Sequence, residues 1–125
     1  MLQECSVTHI VNVTESANGF PEDFCYLHVP VADEKTADIV SWLCTALSFI
    51  HAALHDDTNS VVLVHCREGR SRSVTILLAY LIRYEKRSLS EGLALVQSQQ
   101  LKYWHAVQPL PNSGFLAQLR DFEYQ

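Results

Sequence analysis

Residues 62–74 read VLVHCREGRSRSV. Cys66 directly follows an apolar, β-branched run, and the next seven positions hold Arg67, Arg70, Arg72, Ser71 and Ser73. A cysteine kept for packing has no use for that company, whereas a thiolate that must bind and attack an anion does. Five residues, REGRS, separate Cys66 from Arg72. If a buried strand enters this loop and a helix leaves it, the first main-chain N–H groups of the helix lack intrahelical partners and point outward together. Gly69 lets the backbone curl, so that successive N–H groups of Arg67, Glu68, Gly69, Arg70 and Ser71 face one centre and cradle the substrate anion. The loop lacks GxxxxGK, so nucleotide hydrolysis has no support.

A cysteine at the mouth of that cradle is expected to be ionised near neutrality, because helix N-termini and neighbouring cations lower a thiol from about 8.5 to roughly 3.5–7.5. Arg72 supplies two parallel N–H donors in a planar fork that matches two phosphate oxygens. Ser73 is placed to hydrogen-bond the thiolate and help it leave in a second step. The departing oxygen needs a proton, and a positioned acid is worth about 10²–10⁴ in rate. Asp33, just past a predicted strand, is the best candidate. Asp38 is expected inside a helix and Asp56 and Asp57 at its far end, and all three read as solvated surface charge.

These residues need a scaffold. Residues 7–13 alternate apolar and polar side chains and predict a strand; residues 24–31 predict a second, with Pro30 marking its end or an edge. Ile39, Leu43, Leu47, Ile50 and Leu54 form one stripe and predict a helix over 36–55 with Thr36 as N-cap. Residues 61–64, VVLV, predict a central strand buried on both faces. Residues 73–84 are apolar almost all round, as in a helix surrounded by protein. Ser88 and Glu91 match a capping box for a helix to about residue 100. Pro109, Pro111 and Asn112 break the chain before a last helix with Phe115, Leu119 and Phe122 on one face. Strand and helix in alternation predict an α/β fold with a mostly parallel sheet, and sites in such folds form beyond the carboxyl ends of strands. Parallel strands would put Asp33 and Cys66 on one rim.

The chain has 125 residues, 48% apolar and 18% charged, which suits one domain, 1–125, with one core. A formal net charge of −5 disfavours nucleic acid or a membrane surface as partner and makes the local arginine cluster more informative. No run reaches the roughly 20 apolar residues of a membrane span, and the N-terminus shows no signal-peptide pattern. Cys5, Cys25, Cys44 and Cys66 form neither a CxxC pair nor a zinc pattern, which favours a reducing, cytoplasmic or nuclear setting. The first three read as inert core residues. His51 and His55 in HAALH read as a half-exposed helix face rather than a metal site, and Trp42 and Trp104 read as packing residues. Nothing in the sequence sets an oligomeric state.

HCREGRSRS, residues 65–73, resembles the HCxxGxxRS motif of the cysteine-dependent protein phosphatases, and its dual-specificity branch most of all. THIVNVT, YLHVPVAD, AYLIRY and PNSGFLAQL resemble family blocks at matching places, so the similarity covers most of the chain. The resemblance implies a tyrosine-phosphatase-like α/β fold with about four to five strands, Cys66 as nucleophile, Arg72 as phosphate clamp and Asp33 as general acid. It also implies that His65 supports the loop and the thiolate, that Asn112 braces the loop, that a phosphocysteine forms, and that no metal or cofactor is needed. The pocket is expected to be shallow enough for phosphoserine and phosphothreonine as well as phosphotyrosine. The family normally carries a further strand and helix before the block that starts here at Val7, so the usual first strand is expected to be missing. A phosphatase of lipid or other non-protein phosphates, such as phosphatidylglycerophosphate, is an alternative on the GRSRS run. A non-catalytic phosphate-binding module ranks lower, because such relatives have usually lost the cysteine, the arginine or the acid.

Overall fold

A computed structural model of the chain describes residues 7–16, 18, 24–56, 59–66, 71–103 and 110–124. The element order is β1 (His9–Asn12), β2 (Cys25–His28), α1 (Val40–Asp56), β3 (Val62–His65), α2 (Arg72–Tyr84), α3 (Leu89–Tyr103) and α4 (Ser113–Glu123). Strand and helix alternate as expected over β2-α1-β3-α2, β1 precedes β2 with no helix between them among the described residues, and both strand pairs are parallel. The sheet order is β2-β1-β3. Three strands are seen among the described residues, fewer than the four to five the resemblance implied. The strand over 61–64 was expected at the centre of the sheet. Among the described strands β1 is central and almost wholly buried, while β3 lies beside it and is half-buried along its length. An apolar run on both faces signals burial, but not which neighbours supply it.

Helix α2 is the hub. It packs against α1, α3, α4 and β3, and Val74, Thr75, Ile76, Leu78 and Ala79 are buried on it. Side chains such as Ile76 and Leu78, at 0% exposure, each contribute on the order of 1.5–3 kcal/mol by leaving water. Val11, Val13, Val29 and Val31 from the sheet meet Leu43, Leu47 and Ile50 of α1, with Phe115, Leu119 and Phe122 of α4 closing the same core. The capping box on α3 is formed. Ser88 N–H donates to Glu91 Oε1 at 2.8 Å and Glu91 N–H to Ser88 Oγ at 3.1 Å. Hydrogen bonding from Ser88, its main-chain N–H first and its side chain second, holds the Glu91 carboxyl below its ordinary value.

Helix α1 starts later than its periodicity predicts, at Val40 rather than near Thr36. Asp38 is not inside the helix: its carboxylate accepts from Ser41 N–H at 3.2 Å and from the Ser41 hydroxyl. Gln118 of α4 completes the start. Its Oε1 accepts from Ile39 N–H at 3.1 Å and Val40 N–H at 2.9 Å, and its Nε2 donates to the Ala37 carbonyl. The stripe shifts accordingly, with Ala53 buried and Leu54 at 37% exposure. Cys25 and Cys44 are exposed, contrary to the core reading. Cys44 follows buried Leu43 by about 100° around the helix and so points outward. Cys5 and Trp104 lie outside the described residues, and Trp42 packs half-buried against the core.

The first turn of α4 lies directly on the segment that follows β2. A Cβ on Gly114 would stand 1.8 Å from the Lys35 carbonyl oxygen, so only glycine allows the two backbones to touch. Gly114→Ala is expected to lower stability by about 1–3 kcal/mol or more, read as a drop in denaturant midpoint at unchanged m. An unchanged midpoint would show that this contact does not constrain the fold.

Candidate active site

The site is built where the three strands end level. Asn12 is the register partner of His28 on one side and His65 on the other. The chain leaving β2 reaches Asp33 and the chain leaving β3 reaches Cys66. Both residues line one cavity of about 530 Å³, together with His65 and Arg72. The sequence expectation of a shared rim is met by this geometry.

Arg72 opens α2 and reaches across the rim. Its Nη1 donates to the Val31 carbonyl at 3.0 Å, two residues before Asp33. Its Nε is buried and has no hydrogen-bond partner among the described residues. The Cys66 Sγ lies 3.2 Å from the hydroxyl of Ser73, which is 4% exposed on the first turn of α2. His65 is half-buried, and its imidazole pKa is lowered, chiefly by loss of solvation and only partly offset by a backbone bond at Cys66. Arg67, Glu68, Gly69 and Arg70 lie outside the described residues.

Ser71 ends the same loop and is 3% exposed. It occupies the N-cap position of α2, yet its side chain makes no capping bond. The hydroxyl instead accepts from Asn112 N–H at 2.9 Å. Asn112 makes two further bonds: its Oδ1 accepts from Phe115 N–H at 2.9 Å, capping α4, and its Nδ2 donates to Asp33 Oδ1 at 3.0 Å. One side chain and one amide thus tie α4, the cysteine loop and the Asp33 segment together. The other aspartates considered as the acid stand apart from this centre. Asp38 caps α1, Asp56 ends it, and Asp57 lies outside the described residues. His51 stacks on Tyr84 of α2 with ring centroids 4.1 Å apart, and His55 meets His51 edge-on at 3.9 Å.

Three positioning groups escaped the sequence reading. Asn12 is 2% exposed at the end of the central strand and orders the loop beyond it. Its Nδ2 donates to the Ser16 carbonyl and to Asn18, and its Oδ1 accepts from Thr14 at 2.6 Å. A polar residue closing an apolar strand next to a turn-rich segment was the available signal. The Val31 carbonyl leaves no trace in side-chain identity, and the Gln118 cap joins residues 79 apart in the chain.

With this geometry in hand, comparison with known proteins is direct. The model of the dual specificity phosphatase catalytic domain matches residues 1–125. Dual specificity protein phosphatase 1B of Arabidopsis thaliana is 37% identical over 123 residues, covering 98% of this chain and 69% of that protein. Dual specificity protein phosphatase 1 of Mus musculus is 36% identical over 126 residues, and the chain spans 32% of its length. A crystal structure of a mouse putative dual specificity phosphatase, complexed with zinc tungstate, superposes with a TM-score of 0.86 at 32% identity, over 98% of this chain and 73% of that one. The chain belongs to the dual specificity phosphatase catalytic-domain family and is a phosphatase domain of that class. Among the described residues, no helix is long and apolar enough to cross a membrane.

A lowered His65 pKa means that the folded state resists protonating this imidazole more than the unfolded chain does. That contribution to stability is present above the unfolded value near 6.5 and fades as pH falls through the lower folded value. Denaturant midpoints should therefore fall below pH 6.5, and the fall should be shallower in His65→Asn. Equal pH slopes in the two proteins would contradict the assignment.

Proposed function

We propose that residues 1–125 form a single catalytic domain that removes phosphate from phosphotyrosine and from phosphoserine or phosphothreonine in proteins, through a phosphocysteine intermediate. Cys66, as the thiolate, attacks phosphorus while the phosphorus–oxygen bond to the side chain breaks. Asp33 gives its proton to the departing oxygen. The Asp33 carboxylate then takes a proton from water, the hydroxide attacks phosphorus, and the Cys66 sulfur leaves as thiolate, stabilised by the Ser73 hydroxyl. The main-chain amides of Arg67, Glu68, Gly69, Arg70 and Ser71 hold the phosphate oxygens with Arg72, and His65 and Asn112 hold the loop. The chemistry draws on these groups alone.

One observation carries this reading: Arg72 reaches the cavity shared by Cys66 and Asp33 with one guanidinium nitrogen anchored on Val31 and Nε buried with no partner among the described residues. A buried cationic donor is costly unless something accepts from it, and a tetrahedral dianion supplies that acceptor. The absence of a side-chain cap on α2 leaves its first amides available to the same anion. A thiolate nucleophile works only while reduced, which favours the cytoplasm or nucleus as its compartment.

Cys66→Ser is expected to abolish hydrolysis of a small aryl phosphate. Asp33→Ala should slow phosphopeptide turnover by about 10²–10⁴ and slow a substrate with a good leaving group much less. Steady-state rates on both substrates test this. Undiminished phosphopeptide turnover by Asp33→Ala would place the acid elsewhere.

A further inference from the structure

The cavity that holds Cys66 and Arg72 also has carboxylates on its walls. Glu15 stands on the loop after β1 and Glu34 on the loop after β2, and both are exposed at the cavity. With Asp33 they make three acidic residues among the described residues that line it, beside Arg72; Arg67 and Arg70 lie outside the described residues. Both glutamates stand on anchored backbone. The main chain on either side of Glu15 is tied down. His28 Nε2 donates to the Thr14 carbonyl at 2.7 Å, buried Asn12 donates to the Ser16 carbonyl at 3.0 Å, and Ser16 N–H donates to Thr14 Oγ1 at 3.1 Å. Glu34 sits in a tight turn, its N–H donating to the Ala32 carbonyl at 2.9 Å and its carbonyl accepting from Ala37 N–H at 3.0 Å.

An anion-binding centre gains nothing from carboxylates on its walls as far as the phosphate itself is concerned. They act on whatever extends from the phosphate over the walls. Resting on the phosphatase reading above, we propose that Glu15 and Glu34 select polypeptide substrates with lysine or arginine flanking the phosphorylated residue. They would disfavour substrates that carry a second anionic group there. The negative charge of the whole chain, −5, attracts such basic segments before contact as well.

The test is kcat/KM on paired phosphopeptides that differ only in Lys/Arg or Asp/Glu at the positions next to the phosphoresidue, with a small aryl phosphate assayed alongside. The expected preference for the basic member is about tenfold, the scale two exposed ion pairs supply. It should shrink toward unity at 1 M salt, where the screening length is about 3 Å. Glu15→Gln with Glu34→Gln should erase the preference, and Glu15→Lys with Glu34→Lys should invert it. Equal turnover of the two peptides, preference for the acidic one, or a preference untouched by the double variants would overturn the inference while leaving the phosphatase reading standing. Failure to hydrolyse the aryl phosphate as well would overturn both.

Discussion

The level ending of three parallel strands is the constraint from which the site follows. Asn12 pairs in register with both His28 and His65. Because parallel neighbours run in one direction, the loops after β1, β2 and β3 must all emerge at the same edge of the sheet. A residue just past β2 and a residue just past β3 are then brought to one cavity, although 32 residues of sequence lie between Asp33 and Cys66. A slip of one residue in either pairing would turn the strand over and aim its loop elsewhere. Burial of Ile10 and Val11 at 1% and 0% exposure makes such a slip expensive.

Position alone does not hold the groups in place, and a second layer of bonds does. Asn112 caps α4 with its oxygen, holds Asp33 with its nitrogen, and uses its main-chain N–H on Ser71. Arg72 ties the start of α2 to Val31. Gly114 lets α4 lie against Lys35 without a side chain between. Asp33, Ser71 at the end of the cysteine loop and the last helix are thus joined through Asn112. Glu15 and Glu34, on the segments that leave β1 and β2, line the same cavity.

Much of this was legible in the sequence, for physical reasons that differ by element. The strands at 9–12, 25–28 and 62–65 announced themselves through alternation or β-branched runs, and α3 through the reciprocal bonds of Ser88 and Glu91. The placement of Asp33, Cys66 and Arg72 on one cavity, with Ser73 beside Cys66, was legible because all four positions are local to strand ends and a helix start. What stayed hidden is non-local. The start of α1 is set by Gln118 from the far end of the chain, and the place of β3 at the edge rather than the centre of the described sheet depends on partners no local pattern names. Cys25 and Cys44 look apolar by type, but strand pleat and helix phase turn them to solvent. Main-chain acceptors such as Val31 carry no residue-type signal at all.

The account stands on the charge state of one sulfur. A thiol next to Ser73, at the start of a helix whose first amides are uncapped and beside an arginine, should ionise below the ordinary thiol value of about 8.5. The direct measurement is the rate of Cys66 alkylation by iodoacetamide against pH, read at the labelled residue by mass spectrometry, with a short unstructured cysteine peptide in the same solution as the reference. Cys66 labelling is predicted to level off well below pH 8, while labelling of the reference peptide still climbs, and inorganic phosphate is predicted to protect Cys66. The two thiols climbing together, with no protection of Cys66 by phosphate, would contradict this.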